Sequence, residues 1–117
     1  MSDFTPLRSV LYMPGSNERA LEKAKGIACD ALILDLEDAV APDAKPAARE
    51  AAAAAAASGE YGRRTLTIRV NGIGTQWHDD DIRAAAQAGP NAVVVPKVNS
   101  AAEVGQLVDA LEKAGAP

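Results

Sequence analysis

Four short apolar runs alternate strictly with four helix-like segments, and this alternation constrains the chain more than any other feature. The runs span residues 8–12, 31–36, 65–70 and 92–95. Ile33, Leu34 and Leu36 make the second almost continuously apolar, and Val93, Val94 and Val95 do the same for the fourth. Continuous rather than alternating apolarity suits strands buried on both faces, which is the condition of a parallel sheet. Strand–helix alternation with short connections then predicts an α/β fold of four βα units.

The intervening segments carry helix punctuation. Residues 17–25 follow Pro14-Gly15-Ser16, with Ser16 or Asn17 available as a cap and Glu18 in the first turn. Residues 44–57 are dominated by alanine, the best helix former, and Ser58-Gly59 supplies a stop. The run Ala51 to Ala57 reads as helix rather than a disordered tract because Arg49 and Glu50 set it in an amphipathic frame. Residues 79–88 begin with Asp79, Asp80 and Asp81, which favour a helix N-terminus, and end at Gly89-Pro90. Residues 100–114 show the capping-box spacing of Ser100 and Glu103, with Val104, Leu107, Val108 and Leu111 on one face.

A chain of 117 residues is expected to form one domain, and 48% hydrophobic residues suffice for its core. Aromatic residues make up only 3%, so Ala, Val, Leu and Ile must build that core. The net charge of −4 argues against an electrostatic nucleic-acid binder. Cys29 is the single cysteine, which excludes an intrachain disulfide and suits a small core residue. The start of the chain lacks the pattern of a signal peptide, and no apolar run approaches the roughly 20 residues that span a bilayer. The expected location is cytoplasmic, with no membrane partner.

Polar residues concentrate at the carboxyl ends of the strands, where both a barrel and an open doubly wound sheet place their sites. Pro14-Gly15-Ser16-Asn17 is not the glycine fingerprint of dinucleotide binding, and the choice between the two architectures stays open on these residues. The first strand leads into a helix bearing Arg19, Lys23 and Lys25, either an anion site or a solvated helix face. The second ends in Asp35-Leu36-Glu37-Asp38. Three carboxylates at the end of a buried strand require a divalent cation, an Arg, or water held on a metal to offset their repulsion. Capping of the following helix explains one acid of the three. The third strand carries Arg69 among Ile68 and Val70. A guanidinium there is suited to grip a carboxylate through two hydrogen bonds, or to form a structural ion pair with Glu37 or Asp38. Lys97, after the fourth strand, reads as a cation facing the site, a Schiff-base lysine, or a solvated side chain. His78 has no second His or Cys near it in sequence to build a zinc site.

Taken in order, Arg8-Ser9-Val10-Leu11-Tyr12-Met13-Pro14-Gly15, Leu34-Asp35-Leu36-Glu37-Asp38-Ala39-Val40, Arg69-Val70-Asn71-Gly72 and Val95-Pro96-Lys97-Val98 resemble one group. That group is the citrate lyase β-subunit and malyl-CoA lyase family of the HpcH/HpaI aldolase superfamily. Any one motif is weak; four in register are specific. The resemblance implies a TIM (β/α)₈ barrel, with residues 1–117 as the N-terminal part of the domain and about four βα units, a half-barrel. It implies Mg²⁺-dependent cleavage of a 3-hydroxyacyl thioester of the citryl-, malyl- or citramalyl-CoA type, giving an oxo acid and an acyl thioester. Hydrolysis of a malyl-CoA-type thioester, or a non-catalytic half-barrel that binds acyl-CoA or a partner chain, are the alternatives.

Carried over residue by residue, Arg69 is similar to the arginine that binds the oxo-acid carboxylate. Glu37 and Asp38 match an acidic pair that reaches the metal through water. Arg19 and Lys25 match basic positions that contact CoA phosphates, although some members use an acyl-carrier thioester instead. The resemblance places the direct Mg²⁺ ligands, a Glu and an Asp, at the ends of a fifth and a sixth strand, beyond Pro117. It also implies homo-oligomers, trimers or hexamers. Two unpaired edges of a half-barrel are expected to be covered by further chain or by another subunit.

Overall fold

The computed structural model describes residues 9–62 and 64–115. Its elements run β1 (Val10–Pro14), α1 (Glu18–Ala24), β2 (Ala31–Asp35), a 3₁₀ turn (Pro42–Ala44), α2 (Lys45–Ser58), β3 (Thr65–Arg69), α3 (His78–Ala88), β4 (Ala92–Val94) and α4 (Ala101–Lys113). All eight expected strands and helices are present, in the expected order. Arg8 lies outside the described residues. The first strand runs on through Met13 and Pro14, whereas Leu36, Val70 and Val95 fall just outside the other three. β1 is prolonged because Pro14 stands opposite Asp35, and Gly15 then donates its N–H to the Asp35 carbonyl at 2.7 Å.

The sheet is parallel, in the order β1-β2-β3-β4. A doubly wound sheet reverses its strand order at a switch point and carries helices on both faces. Here each crossover steps to the next strand in the same direction, so right-handed connections place every helix on one face. This is the wall of a barrel, and it decides between the two architectures that the sequence left open.

Side chains alternate across the sheet accordingly. Met13, Leu32, Leu34, Leu66 and Ile68 point to the helix layer and share one core with Leu21, Ala24, Ala48, Ala52, Ile82, Ala85 and Leu107. The opposite face carries Val10 and Tyr12, which are 49% and 52% exposed. Continuous apolarity in the second and fourth runs predicts burial on both faces, and β2 follows it. β4, at the sheet edge, has Ala92 exposed and Val93 and Val94 only partly buried, and one face of β1 is exposed as well. The alanine tract resolves as α2, whose Ala48 and Ala52 are fully buried. Small side chains on that stripe let the helix lie close to the sheet. Gly15 belongs to the same packing. A Cβ there would come to 3.0 Å from the Asp35 carbonyl and from the Leu36 side chain.

Caps fall where the sequence indicates, with one refinement. Asn17, rather than Ser16, caps α1 by accepting from Ala20 N–H. Ser100 caps α4 through Glu103 N–H, while the Glu103 carboxylate reaches Asn99 N–H, one residue upstream of the standard box. Cys29 is partly buried and packs against the core. Among the described residues, no helix is long and apolar enough to cross a membrane.

Candidate active site

The site grows from strand register. Asp35 ends β2 and stands directly across from Arg69, which ends β3, on the face opposite the helices. Their side chains form a two-pronged pair, with Nε to Oδ1 at 2.7 Å and Nη2 to Oδ2 at 2.8 Å. The third guanidinium nitrogen, Nη1, lies 3.5 Å from Glu37 Oε1, and the group stacks over the Tyr12 ring at 5.1 Å. The sequence points to Glu37 or Asp38 as the structural partner of Arg69. The structure corrects this: its principal partner is Asp35, because facing register brings these two ends together before the chain turns.

Asp35 is 1% exposed and also organises the turn that follows. Its carboxylate accepts the N–H groups of Glu37 (3.0 Å) and Ala39 (2.9 Å). Burial by itself would raise its pKa. The Arg69 hydrogen bonds and these two N–H donors outweigh that cost and hold the carboxyl below the ordinary range. The same pair, foremost the Asp35 hydrogen bond, raises Arg69 above its ordinary value. Asp35 is thus engaged in structure, and the three strand-end acids separate into different roles.

Glu37 is buried and faces two cations, Arg69 and, at 3.5 Å, Lys97. Asp38 is exposed. It lines two cavities at this end of the sheet. One, about 480 Å³, is walled by Tyr12, Met13, Pro14, Asp35, Ala39 and Arg69 as well. The other, about 270 Å³, is bordered by Glu37, Lys45, Asn71, Trp77 and Lys97 among others. Lys97 is 77% exposed and adopts a left-handed backbone (φ 58°). It is therefore the solvated cation beside Glu37 rather than a desolvated Schiff-base lysine.

The two basic positions of the first helix do not converge. Arg19 is exposed in the first turn of α1, near the strand ends. Lys25 follows the last turn, at the opposite end of the βα unit, and pairs with Glu22 (2.8 Å) and Glu60 (3.1 Å). Those two partners, Glu22 first, raise its pKa.

Behind the strand ends lies a buried polar network that sequence reasoning does not reach. The Lys45 ammonium donates to the carbonyls of Leu36 (3.0 Å) and Glu37 (2.9 Å) and to Asn71 Oδ1 (2.8 Å). Asp81, fully buried, accepts from Asn71 through N–H and Nδ2 and from Arg49 Nε. His78 begins α3 rather than sitting in a loop, and its Nδ1 is 2.8 Å from the Asn71 carbonyl. One signal is available in the sequence: Lys45 opens a helix whose N-terminal dipole disfavours a cation there.

The HpcH/HpaI aldolase/citrate lyase family matches residues 8–116. This chain belongs to that family. It is 51% identical over 104 residues to a (3S)-malyl-CoA thioesterase of Cereibacter sphaeroides, a match covering 89% of this chain and 36% of the relative. It is 40% identical over 115 residues to an L-malyl-CoA/beta-methylmalyl-CoA lyase of the same organism, covering 93% and 36%. Among solved structures, CitE from Mycobacterium tuberculosis in complex with magnesium and acetoacetate superposes with a TM-score of 0.70 at 37% identity, over 84% of this chain and 39% of that one. RipC from Yersinia pestis gives 0.66 at 29% identity, over 94% and 43%. The chain thus spans about a third of the length of the curated relatives it matches.

Proposed function

We propose that this chain builds one wall of a site for a malyl-type 3-hydroxyacyl thioester, and that the reaction is carbon–carbon cleavage to a 2-oxo acid and a shorter acyl thioester. One observation carries the reading: Asp35 holds Arg69 by two hydrogen bonds while the guanidinium still borders a cavity of about 480 Å³. A pre-oriented guanidinium of this kind is built to receive a carboxylate. Arg69 would bind the oxo-acid carboxylate. Arg19 would meet the phosphates of a CoA or carrier thioester; Lys25, engaged by two acids at the far end of α1, is poorly placed to join it.

Hard carboxylate oxygens at the strand ends fit Mg²⁺. Glu37 and Asp38, matching the family's acidic pair, would reach the ion through water; among the described residues no group of three or more His, Cys, Asp or Glu converges on one point. When bound, Mg²⁺ would supply Lewis-acid polarisation of the oxo group. The chain's own part is to hold the carboxylate through Arg69 and to balance Glu37 between Arg69 and Lys97. The similar CitE structure is a complex with magnesium, which supports this choice of ion. Further proposed properties are a cytoplasmic location and a homo-oligomer.

Hydrolysis of the thioester is a second reading, favoured by one fact. The matched thioesterases are 51–52% identical to this chain, against 39–40% for the matched lyases. The products separate the two. With malyl-CoA and Mg²⁺, carbon–carbon cleavage yields a carbonyl compound and keeps the thioester, while hydrolysis consumes water and frees a thiol. Carbonyl without thiol is the expected outcome, and chelation of the metal should abolish it. Thiol without carbonyl establishes the second reading. A calorimetric titration with glyoxylate tests the wall itself: Arg69→Ala should weaken binding about 100-fold, the loss of two charge-assisted hydrogen bonds. Equal affinity in wild type and variant would remove Arg69 from the site.

A further inference from the structure

We propose that Lys45 is a positioning residue for the Glu37–Asp38 turn, resting for its functional half on the reading above. Its ammonium meets the carbonyls of Leu36 and Glu37 and the side-chain oxygen of Asn71, so all three of its N–H donors have an oxygen partner. The residue is 6% exposed, and the Trp77 ring covers the ammonium at 5.0 Å.

Two costs make this placement informative. Burying an ammonium is unfavourable, and a cation in the first turn of a helix opposes the macrodipole. A helix start needs neither: an apolar residue of similar volume would pack there at lower cost. Such violations of local preference are expected where a site demands them. What Lys45 secures is the backbone just beyond β2. That turn is pinned from one side by Asp35, through the N–H groups of Glu37 and Ala39, and from the other by Lys45, through the carbonyls. Asp35 in turn carries Arg69, so one chain of contacts runs from the helix layer through the turn to the guanidinium.

The network is balanced in charge. Lys45, Arg49 and Arg69 stand against Asp35, Glu37 and Asp81, with Asn71 bridging Lys45 to Asp81. Removing the Lys45 charge takes this donor from the Leu36 carbonyl and leaves the Glu37 carbonyl with Val40 N–H alone, so the turn loses its tie to α2 through Lys45.

The test is amide hydrogen exchange on the full chain, wild type against Lys45→Met, with glyoxylate titration run on both. Exchange at Glu37 and Ala39, measured relative to Leu34 within β2, should rise about tenfold, and glyoxylate affinity should fall about tenfold, the worth of one net hydrogen bond. Leu107→Ala, a core cavity in α4, should lower overall stability without changing that ratio. If Lys45→Met does not fold, Lys45→Arg carries the test, with a smaller rise in the same two amides because a planar fork cannot meet three converging acceptors. An unchanged exchange ratio overturns the proposal, as does a raised ratio with wild-type glyoxylate affinity. If wild-type protein binds no glyoxylate, the functional reading fails, and the exchange ratio alone decides whether Lys45 holds the turn.

Discussion

Both ends of the sheet use a buried or half-buried cation to gather backbone carbonyls, yet the two ends do different work. At the amino end, Arg64 just before β3 donates to the carbonyls of Ala24, Lys25 and Ile27, at the end of α1 and just beyond it, and to that of Tyr61. At the carboxyl end, Lys45 gathers the carbonyls of Leu36 and Glu37 after β2. Arg64 finds backbone and an aromatic ring, Tyr61 at 5.6 Å, whose hydroxyl in turn donates to the Leu21 carbonyl. Lys45 continues through Asn71 to the carboxylate of Asp81 and, by way of the turn, to Glu37, Asp38 and Arg69. The same chemistry serves as a staple at one end and as a scaffold for exposed charge at the other. On the proposed function, this is the division of a βα barrel into a stability face and a reactive face.

The largest effect should come from breaking the charge balance at the reactive end. Asp81 is fully buried and accepts from Arg49 and from Asn71. Asp81→Ala leaves Arg49 without its short partner and should cost about 3–5 kcal/mol in a denaturant titration. A loss below about 1 kcal/mol would mean the network is not coupled as its geometry indicates.

Arg64→Met probes the other side of the comparison. It removes a charged donor from several carbonyls and should destabilise the chain by about 2 kcal/mol. Glyoxylate affinity should stay at the wild-type value once both proteins are folded. A weakened affinity would erase the distinction between the two ends.

The smallest effect is an acid-range one. The folded-state pKa of Asp35 lies below its ordinary value, so its contribution to stability is complete above about pH 4, where the unfolded carboxyl is also ionised. That contribution is lost as pH falls through the lower, folded-state pKa. Thermal melting followed downward from pH 5 should therefore decline more steeply in wild type than in Asp35→Asn. Parallel curves would show that the Asp35–Arg69 pair contributes nothing that titrates.

How much of this is legible beforehand depends on the kind of interaction. The four strands, the four helices, the Gly59 and Gly89 stops and the Ser100 cap follow from local periodicity and cap chemistry, and the structure returns them within a residue or two. The site is visible as an excess, three acids and one arginine where a buried strand should be apolar. Its wiring is not. Nothing local says that Asp35 rather than Glu37 meets Arg69, because that choice is made by the register of β2 on β3. The contacts among Lys45, Asn71 and Asp81 span 26 and 10 residues, beyond the reach of any periodic pattern. Lys25 sits at the far end of α1 from the strand ends, and there it pairs with Glu60, a residue remote in sequence.

The sequence by itself determined the alternating βα architecture and the family, and pointed to the strand ends as the candidate site, because hydrophobic period, helix caps and motifs are properties of neighbouring residues. The tertiary structure decided the rest. Sequential strand order selected a barrel wall over an open sheet, and register assigned each acid its partner. The physical reason is that burial removes water as an alternative partner, so each buried charge must take whichever opposite group the packed backbone brings within reach.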